Sequence, residues 1–134
     1  MPQPLNIVFC AAEAAPFAKV GGLGDVIGSL PKALRALGHA VCICLPMYGA
    51  LHEHRHEWTE LNINCTVITP EQEFKLCVWK GHVPGAPDIP VYFFQNYALY
   101  GCQEAVYPQG NPAYETLRFE VFCEAVLQFL QHHS

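Results

Sequence analysis

Short, nearly uninterrupted apolar runs alternate along the chain with glycine- and proline-rich segments. The runs "LNIVFCAA" (Leu5–Ala12) and "AVCICLP" (Ala40–Pro46) are typical of strands that are covered on both faces in a parallel sheet. Between them, "DVIGSLPKALRALG" (Asp25–Gly38) has apolar residues at three-and-four spacing and ends at glycine, which predicts a helix with Pro31 as a candidate bend. Strand, glycine-rich loop, helix and strand together predict a right-handed β-α-β unit.

The second half of the chain predicts three further strands and a final helix. "LNINCTVIT", "EFKLCVWKGHV" and "IPVYFFQN" are rich in β-branched and aromatic residues, so we expect two antiparallel strands and then one that rejoins the sheet. "ALHEHRHEWTE" is a short helix or a loop, "VPGAPDIP" a turn-rich connector, and "YALYGCQEAVYPQGNP" a loop. From Ala113, "AYETLRFEVFCEAVLQFLQ" carries a wide apolar face, which predicts a helix.

Composition limits the domain organisation and the partners. The 134 residues suffice for one domain, and the charged fraction of 14% suggests a surface that more protein covers, because average soluble domains have about 25%. A net charge of −5 provides no basic field, so we expect no nucleic-acid partner. No apolar run approaches the roughly 18 residues of a membrane span, and no signal sequence precedes the first strand. We therefore expect no membrane association and a location in the cytoplasm or, in a plant, the plastid stroma.

Cysteine and histidine, the residue types that most often bind metals, give no metal signal. The seven cysteines form no C-x-x-C pair and mostly lie in apolar runs, so they are predicted to be reduced thiols in the core. "HEHRHE" contains no H-E-x-x-H pattern, and its histidines are predicted to be solvated. We expect neither a metal nor another cofactor.

The glycine-rich segment "FAKVGGLGDV" is the strongest candidate for a binding site. A loop between a strand and a helix presents backbone N–H groups at the positive end of the helix dipole, which favours an anion. The spacing matches neither G-x-G-x-x-G nor the P-loop, so a phosphate site and a merely tight loop both remain open. Lys19 is a phosphate ligand or a solvated lysine, and Asp25 contacts a sugar hydroxyl or caps the helix.

Residues beyond this loop offer two weaker signals. Glu13 follows the carboxyl end of the first strand, where open α/β sheets bind ligands, although an ordinary loop carboxylate is the alternative. Four tyrosines form a carbohydrate-contacting rim or simply anchor their loop. They are Tyr97, Tyr100, Tyr107 and Tyr114.

The segment "VFCAAEAAPFAKVGGLGDVIGSLPKALRALGHAVCICLPMY" resembles the amino-terminal signature of bacterial glycogen synthases and plant starch synthases, a K-[TV]-G-G-L-[AG]-D-V block after an apolar strand. "VYFFQN", "LYG" and "LRFEVFCEAVLQFL" are also similar to landmarks of that family. The resemblance implies an α/β fold, namely the incomplete Rossmann-like amino-terminal domain of a two-Rossmann (GT-B) glycosyltransferase. It also implies transfer of glucose from ADP-glucose to the non-reducing end of an α-1,4-glucan, with retention of configuration and without a metal.

The resemblance further implies roles for individual residues. Those implied at the phosphates and sugar of ADP-glucose are Lys19, Gly21, Gly22 and Asp25, and those on the acceptor side are Glu13 and Tyr100. Where the family commonly has an Asp-Asn pair before R-F, this chain has Glu115 and Thr116, which leaves any polar role there open. No residue is assigned as catalytic, because the family's H-D-W-H-type segment and its carboxyl-terminal nucleotide-binding domain are not among these residues.

Two hypotheses about function result. In the first, residues 1–134 are a truncated amino-terminal catalytic domain that contains the donor-phosphate loop and is inactive alone, with the missing carboxyl-terminal domain as its covering surface. In the alternative, the chain is a stand-alone, non-catalytic module that binds glucan or a partner enzyme. An incomplete sheet also has an unpaired edge and an uncovered face, so the isolated chain is predicted to be aggregation-prone or only marginally stable.

Overall fold

A computed structural model describes residues 3–102, 105–107 and 111–133. Its strands are β1 (Asn6–Cys10), β2 (Ala40–Pro46), β3 (Thr59–Ile68), β4 (Glu73–Val83) and β5 (Ala86–Gln95), and its helices are α1 (Gly22–Ala36), α2 (Gly49–Glu53) and α3 (Pro112–His133). The described strands form one five-stranded sheet in the order β1-β2-β5-β4-β3. β1, β2 and β5 are parallel, whereas β4 is antiparallel to both of its neighbours.

The β-α-β unit is confirmed, and β2 has the predicted bounds. α1 ends as expected, because Gly38 adopts a φ of +99° that favours glycine and its N–H donates to the carbonyl of Arg35. The helix begins at Gly22, three residues before the predicted start. Asp25 therefore lies within the first turn, and the prediction that it caps the helix is wrong; the N-cap residue is Gly21, which has no side chain to accept a capping hydrogen bond.

β1 is not covered on both faces, which corrects the prediction. It lies at an edge of the sheet and pairs only with β2 among the described strands. Its residues alternate between exposed and half-buried, and Val8 remains 39% exposed. An apolar run predicts burial, but the burial of a strand also requires neighbours on each face, and the described residues do not supply them all.

The order of β3, β4 and β5 is confirmed, while their connections differ from the predictions. The "VPGAPDIP" segment is not a long connector, because β4 and β5 extend into it and only Pro84 and Gly85 separate them. Gly85 has a φ of +77°, the conformation that such a tight hairpin needs. The predicted loop after β5 begins with a π-helical turn, Tyr97–Gly101, and the histidine-rich segment contains α2 and a short 3-10 turn, Arg55–Glu57.

α3 is confirmed and forms the core against one face of the sheet. Asn111 accepts a hydrogen bond from the N–H of Ala113 at 3.0 Å, and Pro112 occupies the first helical position. The ring of Phe94 on β5 contacts the rings of Phe122 and Phe129 edge-on at 5.7 Å. No helix in the described part of the chain is long and apolar enough to cross a membrane.

The cysteines are all free thiols, but only some lie in the core. Cys44 and Cys65 are buried as predicted. Cys10, Cys102 and Cys123 are exposed, so the core prediction is wrong for them. Cys10 is exposed because β1 is an edge strand.

Candidate functional site

The carboxyl ends of β1, β2 and β5 lie at one edge of the sheet, where the connecting segments meet. The segment after β1 leads to the glycine loop, Lys19–Asp25, and to the start of α1. Tyr48, which follows β2, donates its hydroxyl to the carbonyl of Ala12 at 2.8 Å, and the N–H of Met47 donates to Phe94 on β5. Open α/β sheets bind ligands at this kind of edge, so the described candidate residues lie where a ligand is expected.

Glu13 is the buried polar residue that organises the glycine loop. Its side chain is 4% exposed, and its Oε1 accepts hydrogen bonds from the N–H groups of Val20 at 2.8 Å and Gly21 at 2.9 Å. Its Oε2 accepts a hydrogen bond from the hydroxyl of Tyr107 at 2.7 Å. Burial alone would raise the pKa of Glu13, but the donors at Gly21, Tyr107 and Val20 lower it below the usual 4.5.

An ionised Glu13 therefore occupies part of the anion site that the sequence predicts. The N–H of Gly21 donates to this carboxylate and is not free for a phosphate in this structure. Gly22 is the first residue of α1, and no hydrogen bond from its N–H to another described residue is found. The first N–H groups of a helix have no partner within the helix, so the amides of Gly22 and Leu23 remain for an external anion, whereas the N–H of Gly24 also interacts with Glu13.

The four glycines of α1 and its start differ in why they are glycine. A Cβ at Gly24 would lie 3.1 Å from Oε1 of Glu13, and one at Gly28 would lie 2.9 Å from Cβ of Ala15, so packing within the chain explains both. A Cβ at Gly21 or Gly22 would meet nothing within 4 Å, and neither residue has a positive φ. Gly21 and Gly22 are therefore exposed, and packing within the described chain does not explain why these two residues are glycine.

Lys19 and Asp25 form an ion pair at the mouth of this loop. The Nζ of Lys19 lies 3.1 Å from Oδ1 of Asp25, and the two side chains are 52% and 63% exposed. An exposed pair contributes only about 0–1 kcal/mol, so the ammonium can exchange its partner at little cost. The sequence placed both residues at this site but did not predict that they pair with each other.

The tyrosines mostly anchor the segments around them. Tyr100 is completely buried and donates its hydroxyl to the carbonyl of Arg118 at 2.6 Å, so it presents no surface to an acceptor in this structure. Tyr114 donates to the carbonyl of Ala98 at 2.9 Å, and Tyr107 to Glu13. Tyr97 is 61% exposed, with its ring 5.2 Å from that of His52.

Arg118 is an organising residue that the sequence reasoning missed. Its side chain is completely buried, and it donates from Nε to the carbonyl of Leu99 at 2.7 Å and from Nη1 to the carbonyl of Val106 at 3.0 Å. Its guanidinium also lies within 5.8 Å of the ring centres of Tyr48 and Tyr100. A lone arginine within the apolar run of α3 was the sequence signal that could have identified it as a buried, hydrogen-bonded residue.

The histidine-rich segment shows no metal geometry in the residues that the structure describes. His54 lies 3.1 Å from Glu57, and both side chains are largely exposed. Nδ1 of the half-buried His52 lies 3.3 Å from Nε2 of Gln95. Burial is the main cause that lowers the pKa of His52.

These features define an open α/β sheet with a glycine-rich helix start at the carboxyl edge of its parallel strands, a class that binds anionic ligands there. Residues 6–134 match the family model of the starch synthase catalytic domain. The chain therefore belongs to that family, and the resemblance seen in the sequence is confirmed.

Individual relatives agree with this assignment. The chain is 38% identical to a glycogen synthase of Moorella thermoacetica over 133 residues, which are 97% of this chain and 25% of that protein. It is 38% identical to the chloroplastic/amyloplastic starch synthase 3 of Arabidopsis thaliana, over 95% of this chain and 11% of that protein. This chain thus spans about a quarter of the bacterial relative and less of the plant one.

A solved relative confirms the fold class. The catalytic domain of starch synthase IV from Arabidopsis thaliana, bound to ADP and acarbose, matches with a TM-score of 0.78 and 35% identity. The match covers 96% of this chain and 26% of that one. The mixed sheet is that of a partial Rossmann-like domain, as expected.

Proposed function

We propose that this chain forms one face of the donor site of a retaining glucosyltransferase, which transfers glucose from ADP-glucose to the non-reducing end of an α-1,4-glucan. The observation that carries the proposal is the open surface at Gly21 and Gly22, which the packing of the described chain does not explain. Close approach of a ligand to the backbone is the remaining common reason for glycine. The relative solved with ADP and acarbose supports a nucleotide and a glucan as the ligand classes.

The chemistry of the reaction fits the groups at this surface. Cleavage of a sugar–phosphate bond leaves negative charge on the diphosphate, and fixed N–H groups and cations stabilise such charge as it develops. The amide of Gly22 lies at the start of α1, and Lys19, whose exposed Nζ pairs with Asp25, lies in the same loop. In this proposal, Lys19 leaves Asp25 for the diphosphate, and Asp25 then orients the donor sugar or the loop.

Glu13 belongs to the proposed site as support for the loop rather than as a ligand of the donor. Its two oxygens already accept hydrogen bonds from three donors. Its negative charge next to the site also disfavours an anion unless a cation compensates for it. In this proposal, Lys19 is that cation. The position of Glu13 on the acceptor side, which the family resemblance implies, remains a prediction.

We further propose that the 134 residues alone do not transfer glucose. The relatives are several times longer. Among the described residues, the cation that forms an ion pair within the glycine loop is Lys19. In this proposal, a carboxyl-terminal nucleotide-binding domain covers the open surface at Gly21 and Gly22. The chain alone should therefore incorporate no labelled glucose from ADP-glucose into glycogen, and incorporation above a heat-denatured control would contradict this.

A chimera tests the proposed site itself. This chain replaces the matching region of the Moorella thermoacetica glycogen synthase, and transfer of labelled glucose from ADP-glucose to glycogen is measured. Loss of one group that stabilises transition-state charge typically costs about 10²–10³ in kcat, so Lys19→Ala should lose activity on that scale. Lys32→Ala, an exposed lysine further along α1, is the matched control and should be near wild type.

Other outcomes of the chimera experiment discriminate the hypotheses. If Lys19→Ala and Lys32→Ala are equally active, the proposed role of Lys19 is wrong. If a cooperatively folded chimera is inactive with every donor, while the chain alone is retained on immobilised glycogen, the non-catalytic glucan-binding module is favoured instead.

A further inference from the structure

Three side chains from distant parts of the sequence connect α3 to the glycine loop through short hydrogen bonds. They are Arg118 on α3, Tyr107 in the segment before it, and Glu13 after β1. Tyr107 and Glu13 are 94 residues apart, so this connection exists only in the folded chain.

Arg118 fixes the first part of this connection. Its buried Nη1 donates to the carbonyl of Val106, and its Nε donates to the carbonyl of Leu99, so one rigid guanidinium holds two points of the segment between β5 and α3. Burial of an arginine is costly without partners, and no carboxylate accepts from it among the described residues. Nη2 has no partner there either. A buried cation that uses carbonyl acceptors in this way keeps Tyr107, the next residue after Val106, in one place.

Tyr107 fixes the second part. Its ring lies 6.1 Å from that of Phe119 on α3, and its hydroxyl donates to Oε2 of Glu13. The other oxygen of Glu13, Oε1, accepts from the amides of Val20 and Gly21. Because each oxygen has its own donors, the hydroxyl of Tyr107 and the two amides together fix the rotation of the carboxylate, and the hydroxyl is the part of this arrangement that lies outside the loop.

We propose that Tyr107 is a positioning residue for the glycine loop, which acts through Glu13 and is itself held by Arg118; its importance for a donor ligand rests on the function proposed above. Without the hydroxyl, the carboxylate of Glu13 rotates, and the amides of Val20 and Gly21 lose their fixed acceptor. The start of α1 then no longer presents Gly22 in one geometry. Tyr107 acts on the loop without touching the donor.

The test compares Tyr107→Phe with Tyr114→Phe in the full chain by ¹H–¹⁵N spectroscopy without any ligand. Both variants remove one tyrosine hydroxyl that donates to an oxygen, but the acceptor of Tyr114 is the carbonyl of Ala98. In the wild type, the amide signals of Val20 and Gly21 should titrate with Glu13 at a midpoint below the usual 4.5. Tyr107→Phe should raise this midpoint, because the carboxylate loses a donor that lowers its pKa, and should accelerate exchange of both amides about tenfold.

Tyr114→Phe should leave both the midpoint and the exchange rates unchanged. Exchange is also followed by mass spectrometry on the loop peptide at micromolar concentration, where self-association is minimal. The proposal is overturned if Tyr107→Phe, still folding cooperatively, keeps the wild-type midpoint and exchange, or if Tyr114→Phe produces the same changes.

A double substitution supplies an independent check. Glu13→Gln should also accelerate exchange at Val20 and Gly21, and addition of Tyr107→Phe should change it little further, since both act through one side chain. Fully additive effects would contradict the proposed path. These measurements contain no ADP-glucose, so failure of the donor-site proposal in the chimera and failure of this inference give different results.

Discussion

Replacement of Gly22 by alanine separates the demands of folding from those of a ligand. A Cβ at this position meets no atom within 4 Å, and the residue is the first in α1. Alanine lowers the entropy of the unfolded chain and suits a helix better than glycine, so Gly22→Ala should leave the free energy of unfolding unchanged or raise it by up to about 1 kcal/mol. If a ligand needs this surface, the same substitution should reduce transfer by the chimera.

Gly24→Ala is the matched control within the same helical turn. It has the same propensity gain, but its Cβ would lie 2.9 Å from Cγ of Lys19, 3.2 Å from Cα of Lys19 and 3.1 Å from Oε1 of Glu13. The lysine side chain can move away, whereas the backbone atom and the buried carboxylate are held. Overpacking of this kind costs about 1–3 kcal/mol, and the propensity gain of about 1 kcal/mol leaves a net destabilisation of about 0–2 kcal/mol.

Urea unfolding at low protein concentration, followed by tryptophan fluorescence, measures both variants. Trp58 is a suitable reporter because its ring stacks on that of Phe93 at 4.1 Å. A destabilisation of Gly22→Ala by more than about 1 kcal/mol, well outside the range expected of an open helical glycine, would show that the fold itself needs this glycine. Equal stability of the two variants would show that the close contacts at Gly24 relax freely. Either result would refute the reasoning.

Three further predictions concern stability and association. The pKa of Glu13 is lowered in the folded state, so its ionised form adds to the free energy of unfolding; this contribution is complete above the usual 4.5 and is lost as pH falls through the lowered value. Unfolding curves measured in acid should show this pH dependence, and Glu13→Gln should lack it. Val8→Lys on the edge strand β1 should reduce concentration-dependent association in sedimentation runs, whereas Ile68→Lys on the opposite edge strand β3, where Gln128 already occupies the backbone of Thr66, should have less effect. Gln128→Leu should cost about 1–2 kcal/mol in urea unfolding, because the amide of Gln128 makes two hydrogen bonds to the backbone of Thr66, at 3.1 and 2.6 Å.

Local sequence signals predicted the elements well where neighbours in the chain determine the structure. The three-and-four spacing and Gly38 predict α1 and its end, and the apolar run at Ala40–Pro46 predicts β2 with its bounds. β1 has the same kind of apolar run, but its exposure depends on its place at the edge of the sheet. Sheet order is set by distant pairings, which a local pattern does not contain.

The candidate site shows the same division. The glycine cluster and the family resemblance predicted a site at the carboxyl ends of the parallel strands, and that site and the roles of Lys19, Gly21, Gly22 and Asp25 toward a donor remain predictions. The task of Glu13 was not predictable, because its partners are 7, 8 and 94 residues away. Arg118 was noticeable as a charge within an apolar helix, but its acceptors are backbone carbonyls, which carry no sequence signal.

The two edges of the sheet have different capacities to accept another strand. At β3, the amide group of Gln128 donates to the carbonyl and accepts from the N–H of Thr66, as a neighbouring strand would. At β1, no described residue pairs with the outer side of Asn6–Cys10. A side chain of the chain itself thus occupies the backbone of Thr66 at the edge of β3, while β1 remains open, and a strand added at β1 becomes the immediate neighbour of the strand that leads to Glu13.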